Sequence, residues 1–342
     1  MKKLLKFLLS PKFKTQKRSK KGGFTLIELL VGLIMAAFII TPLLGFVINV
    51  MTSDRQEQAK SSSEQEIQTA LDYISRDVSQ AIFIYDGFGV QRLVENSALP
   101  TPTGVSTPVL VFWKREIKPG ILPNDDDAFA LSLVAYYLIK DTTCSGTSAW
   151  SCTARIGRVQ MDSAVTDQAG NILPGGEAKP DGFTTPFDKT TPTASNAPPQ
   201  TFEQRLNNWT TTDLSGVPVQ TLIDYIDQTT LTSASPPTVT DCSTEPSSKR
   251  PDLTNPTDAQ LADDYPYRQT PNDTGTVPDS LKTGSFYACV DIDKNLAQVF
   301  IRGNALARIS SKNNPPEYSA NKTTYFPRAS IQVKASSLIN PN

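Results

Sequence analysis

Three sets of side chains in this sequence could carry chemistry. The first is a single carboxylate. Glu28 is the only charged residue from Phe24 to Ser53, inside an apolar run that extends to Met51. A carboxylate near the start of an apolar helix of membrane length is costly, and such a residue is a functional candidate by default. The second set is four cysteines, Cys144, Cys152, Cys242 and Cys289. No Cys-x-x-Cys pair occurs, which argues against a redox motif or zinc knuckle. In an oxidising compartment an even number of cysteines points to disulfides, with three pairings open. The favoured pairs are Cys144–Cys152, closing CSGTSAWSC at a hairpin tip, and Cys242–Cys289, tying down a long intervening segment. Four free thiols is the alternative. The third set is acidic. Asp291, Asp293 and Asn295 match the first positions of a calcium loop, but its glycine and distant glutamate are missing. Asp125, Asp126 and Asp127 follow Pro123 in a second acidic loop. A solvated turn is the simpler reading of both, and calcium is the one cofactor they would admit.

Other chemistry is excluded by composition. The chain has no histidine, which removes Ser-His-Asp and Cys-His catalysis and the commonest zinc ligand. Nothing arranges a nucleophile, a base and an oxyanion donor, so the reading is non-enzymatic. Charge is divided unevenly along the chain. Residues 1–23 carry nine Lys/Arg and no acid; taking those nine from 33 basic and 34 acidic residues leaves the rest of the chain ten charges negative. An acidic exterior argues against nucleic acid as a partner, because that binding relies on Lys/Arg neutralising phosphates.

The elements that must position these groups follow from hydropathy. The run from Phe24 to Met51 is long enough to cross a bilayer as one helix, and the basic residues before it predict a cytoplasmic N-terminus with the remainder outside. Pro42 and Gly45 fall inside that helix, so a kink or a melted segment near Thr41–Gly45 is one expectation and a simple bent helix the other. Beyond Asp54 the helical period continues. Ile67, Leu71, Ile74, Val78, Ala81 (or Ile82) and Tyr85 form one apolar stripe, with Glu57, Lys60, Glu64, Gln68, Asp72 and Arg76 opposite. The stripe needs a cover, and a sheet is the natural one. Strands are expected over Thr107–Ile117, Leu131–Lys140 and Ala154–Met161, a hairpin over Ser285–Ile309, and a last strand within YFPRASIQVKASS. Residues 162–284 are rich in Pro, Thr and Ser and read as a long irregular insertion between strands, part ordered and part mobile. Within it Phe202–Trp209 and Val219–Gln228 are expected as short helices. The predicted fold class is α+β: a long N-terminal helix packed on an antiparallel sheet head. The predicted divisions are a basic leader (1–23), a transmembrane helix (24–51), an amphipathic helix outside the membrane (52–86) and the head (87–342).

The text KKGGFTLIELLVGLIMAAF resembles the leader junction and first helix of type IV pilins and type II secretion pseudopilins. The resemblance implies that a prepilin peptidase cuts between Gly23 and Phe24 and methylates the new amino terminus of Phe24. It places Glu28 fifth in the mature chain, where that family keeps an assembly glutamate. An uncleaved signal anchor with Glu28 at the interface is the bland alternative. An ordinary secretory signal fits poorly, since its apolar core is about 7–15 residues with small residues after it; here they stand before it. The hairpin text AYYLIKD…ARIGRVQ is similar to the tyrosine and arginine strands of the larger minor pseudopilins. The Pro/Thr-rich insertion, leader and hairpin spacing are together similar to the hormogonium polysaccharide secretion pseudopilins of filamentous cyanobacteria.

The resemblance implies a minor subunit of a type IV pilus-like or type II secretion-like filament. It would be a single-pass protein of the inner membrane with a periplasmic head, drawn into a fibre with other pilins by an inner-membrane assembly platform and its ATPase. Polysaccharide export and gliding motility are the implied process. A general protein-secretion pseudopilin, a pilus-tip adhesin and a membrane-anchored protein that never polymerises are the rivals.

Overall fold

The computed structural model describes residues 23–142, 149–167, 169–180, 183–187, 202–211, 214, 216–242, 268–271, 277–292, 294–310 and 314–336. The chain divides into two compact units, Met1–Ser53 and Asp54–Asn342. One helix, α1 (Leu26–Ser79), contributes to both.

In the first unit α1 is apolar all round, and its large side chains are exposed. The helix is long and apolar enough to cross a membrane. It stays helical through Thr41–Gly45, so neither Pro42 nor Gly45 interrupts it. The Thr41 hydroxyl donates to the Ala37 carbonyl at 2.8 Å, and Thr52 does the same to Ile48 at 2.9 Å. Both hydroxyls are thereby satisfied within the helix, which removes the penalty of placing them in an apolar medium.

The second unit is α+β. Its strands are β1 (Ala81–Ile84), β2 (Val105–Leu122), β3 (Asp126–Lys140), β4 (Ala154–Asp162), β5 (Gln220–Ile226), β6 (Arg268–Thr270), β7 (Phe286–Asp291), β8 (Leu296–Arg302) and β9 (Arg328–Lys334). They form two sheets, β1-β2-β3-β4-β5 and β6-β7-β8-β9, with every neighbouring pair antiparallel. An isolated bridge between Ile226 and Gly303 links the two. The short helices are α2 (Gly87–Glu95) and α3 (Phe202–Asn207).

The central strands are buried on both faces, which explains their nearly unbroken apolar text. On one face Leu110, Phe112, Val134, Tyr136 and Leu138 meet Ile67, Leu71, Ile74 and Val78 of α1, together with the inner face of the second sheet. On the other face Val111, Trp113, Leu133 and Tyr137 join an aromatic group containing Tyr85, Phe183 and Trp209. Trp113 meets Trp209 edge-to-face with ring centroids 5.2 Å apart, a favoured aromatic geometry.

Two expectations are corrected. The helix stops at Ser79 rather than running on to residue 86, and Ala81–Ile84 pairs with β2 instead. The apolar stripe continues through the change because all four residues of β1 are buried. Val219–Gln228 contains a strand, β5, rather than a helix. Its apolar spacing is helical, yet Ile223 and Ile226 both reach the core. A three-residue step cannot keep one face of a regular strand. The pairing with β4 is accordingly irregular there, and Tyr225 takes φ 60°, as a bulge that absorbs the extra residue would. The part of the 162–284 insertion that is described contributes to both sheets and to the core. It supplies β5, β6 and the buried Phe183, Leu206 and Trp209.

Candidate functional site

The first turn of α1 is built by its own sequence. Thr25 precedes the helix, and its Oγ1 accepts from the Glu28 backbone N–H at 3.3 Å, while its carbonyl accepts from Leu29 N–H at 3.1 Å. Thr25-x-x-Glu28 is therefore an N-cap with an acid at the third helical position, the spacing of a capping box. A negative side chain is also favoured by the helix dipole at this end. Gly23 and Phe24 lie outside the helix, and Phe24 is 80% exposed. The bond between them thus sits in non-helical chain, one residue before the cap. Removing residues up to Gly23 would leave every capping bond of α1 in place. Glu28 is exposed and four residues from Phe24.

The second notable group lies where the end of α1 meets the first sheet. Asp77 is 7% exposed and sits on the helix face that also buries Ile74 and Val78. Its Oδ1 accepts from Lys114 Nζ of β2 at 2.9 Å. Its Oδ2 accepts from Arg158 Nε of β4 at 2.7 Å and from the Tyr136 hydroxyl of β3 at 2.8 Å. One carboxylate thus ties the helix to three adjacent strands. Burial alone would raise its pKa, but the hydrogen bonds and charges of Arg158 and Lys114 outweigh that and hold it below the ordinary carboxylate value. Burial, and then the Asp77 charge, push the Tyr136 phenol far above its ordinary value. The group continues through Glu116, Gln160 and the Lys118–Asp162 pair at 2.8 Å.

A second buried ion pair stands beside the bridge between the sheets. Asp227 and Arg302 meet at 2.8 Å, and Arg302 also donates to the Thr283 and Gly284 carbonyls. The other Asp227 oxygen accepts from the backbone and hydroxyl of Thr229. All three guanidinium nitrogens and both carboxylate oxygens are thus engaged, as a buried charge pair requires.

Cys242 and Cys289 form a disulfide, the latter in β7. Cys152 is also disulfide-bonded; Cys144 lies outside the described residues. Asp293 lies outside them too. The side chain of Asp291 is fully buried and paired with Lys294 at 3.0 Å. Asp125, Asp126 and Asp127 are exposed, and Asp127 accepts from Gly120 N–H at 3.2 Å. Among the described residues no three metal-ligating side chains converge.

Sequence reasoning missed the Asp77 group. Its signal was present: an acid three residues after Ile74 and one before Val78, on the buried stripe, with Lys114 and Arg158 inside otherwise apolar strands. Charges at such positions are seldom buried unless paired.

An apolar N-terminal helix capped at Thr25 and an α+β unit are the arrangement that the resemblance to pilins led one to expect. In agreement, the family model for the prokaryotic N-terminal methylation motif matches residues 18–44. The motif indicates a pilin or pseudopilin precursor that is processed by a prepilin peptidase and assembles with other pilins, and it supports a type IV pilin-like family. No curated protein and no solved structure matches the chain.

Proposed function

We propose that this protein is a minor subunit of a type IV pilus-like or type II secretion-like filament, cut between Gly23 and Phe24 and methylated on Phe24. The observation that carries the proposal is the junction at residues 23–28: a Gly23–Phe24 bond outside the helix, a self-capped helix and a lone Glu28 in the matched motif. Before assembly the apolar part of α1 anchors the subunit in the inner membrane. The nine basic residues hold the leader in the cytoplasm, and the head faces the periplasm.

On assembly, Glu28 pairs with the cationic amino terminus of Phe24 on a neighbouring subunit. Opposite charges interact far more strongly in low dielectric than in water, so the pair offsets the cost of burying a carboxylate and fixes the axial register. An inner-membrane platform with its ATPase supplies the work. The size of the head, 289 residues from Asp54 to Asn342, favours a minor position, because a bulky head crowds a major filament. The likeness of the insertion and leader to the hormogonium pseudopilins supports polysaccharide secretion and gliding motility as the process served.

Mass spectrometry of the N-terminal peptide from native membranes tests the reading. An N-methylated Phe24 terminus is expected. A chain that retains Met1 and its leader overturns the filament mechanism and leaves a membrane-anchored protein.

A further inference from the structure

The β5 strand and α1 border an open cleft of about 370 Å³ inside the Asp54–Asn342 unit. It is lined by Gln65, Glu66 and Thr69 of α1, by Trp150, and by residues 221–224 of β5. Trp150 is 40% exposed. The Arg155 guanidinium lies 5.5 Å from its ring centroid and is itself held by Asp141 at 2.7 Å. The indole is thus positioned at the cleft while much of its surface stays open to solvent.

The charge state of the lining narrows the ligand. Both carboxylates in the cleft are engaged by internal donors. Glu66 pairs with Arg308. Asp224 accepts from the Ser151 backbone at 2.8 Å, the Ser151 hydroxyl at 2.6 Å and the Tyr225 backbone at 2.8 Å. A cationic ligand would have to compete with those donors, and an anionic one would meet the Asp224 carboxylate, which is held by neutral donors. What remains is neutral: the Gln65 amide, the Thr221 hydroxyl, and the Thr69 hydroxyl, which donates to the Gln65 carbonyl at 2.9 Å and keeps acceptor capacity. An aromatic face beside neutral donors and acceptors suits a ligand with an apolar face and a hydroxylated rim. A sugar ring has both. The volume is at the small end of the roughly 300–1,000 Å³ range of ligand sites, and the cleft is open, so it admits a short stretch of a longer chain.

We propose that this cleft binds a neutral saccharide segment, with Trp150 as the stacking platform and Gln65, Thr69 and Thr221 reading ring hydroxyls. That the saccharide is part of a secreted polymer rests on the polysaccharide reading above; the site itself stands on its lining.

The test is calorimetric titration of the full chain in a detergent without a sugar headgroup. The probes are neutral hexasaccharides of glucose, mannose and galactose, with oligogalacturonate and pentalysine as charged contrasts. At least one neutral hexasaccharide is expected to bind, and Trp150→Ala to weaken it tenfold or more. Trp150→Phe should weaken it less than Trp150→Ala. Thr221→Arg fills the cleft without removing a core contact and should abolish binding while the circular dichroism stays native. No heat with any neutral probe overturns the assignment. So does tighter binding of either charged probe, or an affinity unchanged by both Trp150→Ala and Thr221→Arg. The titration requires neither leader cleavage nor assembly. A chain with an unprocessed terminus that still binds sugar would sink the filament reading alone, and a processed chain without sugar binding would sink this one alone.

Discussion

Asp77 shows how much one side chain can decide. It holds Lys114, Tyr136 and Arg158 at 2.7–2.9 Å in a nearly dry site. Removing one member of a buried pair costs about 3–5 kcal/mol, because the partner charges lose their compensation. Asp77→Ala should therefore destabilise the head by about that amount in denaturant unfolding, with Lys114→Met together with Asp77→Leu losing less than the sum of the single changes. The pH dependence has a definite sign. The folded Asp77 pKa is below its unfolded value, so its contribution is complete above the unfolded value, about 3.9. It is lost as pH falls through the folded value. Asp77→Asn should flatten the stability profile below about pH 4 and leave the profile near pH 7–9 unchanged in shape; a wild-type profile that already lacks an acid-side slope contradicts this.

At the scale of elements, β5 is the informative strand. Ile226 is fully buried, and large-to-small changes at such sites cost about 2–5 kcal/mol. Ile226→Ala should lower the midpoint of the whole head in one cooperative transition, as for an integral strand. A loop unfolding separately, with the rest unaffected, would mark a decoration. The same strand shows where sequence reading succeeds and fails. The helix, the β2–β3–β4 meander and the β7–β8 hairpin were legible because their apolar periods are local and long. The text of β5 has i, i+3, i+4, i+7 spacing in Val219, Leu222, Ile223 and Ile226, which is a helical signal. What makes it a strand is the waiting edge of β4, a tertiary fact, together with a bulge at Tyr225 that no composition announces. The end of α1 was misplaced for a related reason: both states bury Ala81 and Ile82, so burial alone does not mark the boundary. At the proposed processing junction, the matched motif over residues 18–44 was legible in the sequence, whereas the Thr25 cap emerged only with the hydrogen bonds.

In the whole molecule, the two sheets are joined by the Ile226–Gly303 bridge, the Asp227–Arg302 pair and a shared core. The Cys242–Cys289 link closes a separation of 47 residues, for which loop-closure entropy gives roughly 4 kcal/mol. The Cys242→Ser, Cys289→Ser double variant should lose about 2–5 kcal/mol, measured by thermal or chemical unfolding. An equal loss on dithiothreitol treatment, which also reduces the bond at Cys152, would assign the stabilisation to Cys242–Cys289, and a larger loss would add a share from the other bond.

The Asp77 cluster also has a mechanical meaning. By backbone alone, α1 enters the head at β1, the outermost strand of its sheet, and tension delivered there would open the sheet like a zipper, one pair of hydrogen bonds at a time. Lys114, Tyr136 and Arg158 instead carry tension from the last turns of the helix sideways into β2, β3 and β4, so several strands must yield together. Load arriving along the end of α1 would thus be shared among three strands rather than borne by one.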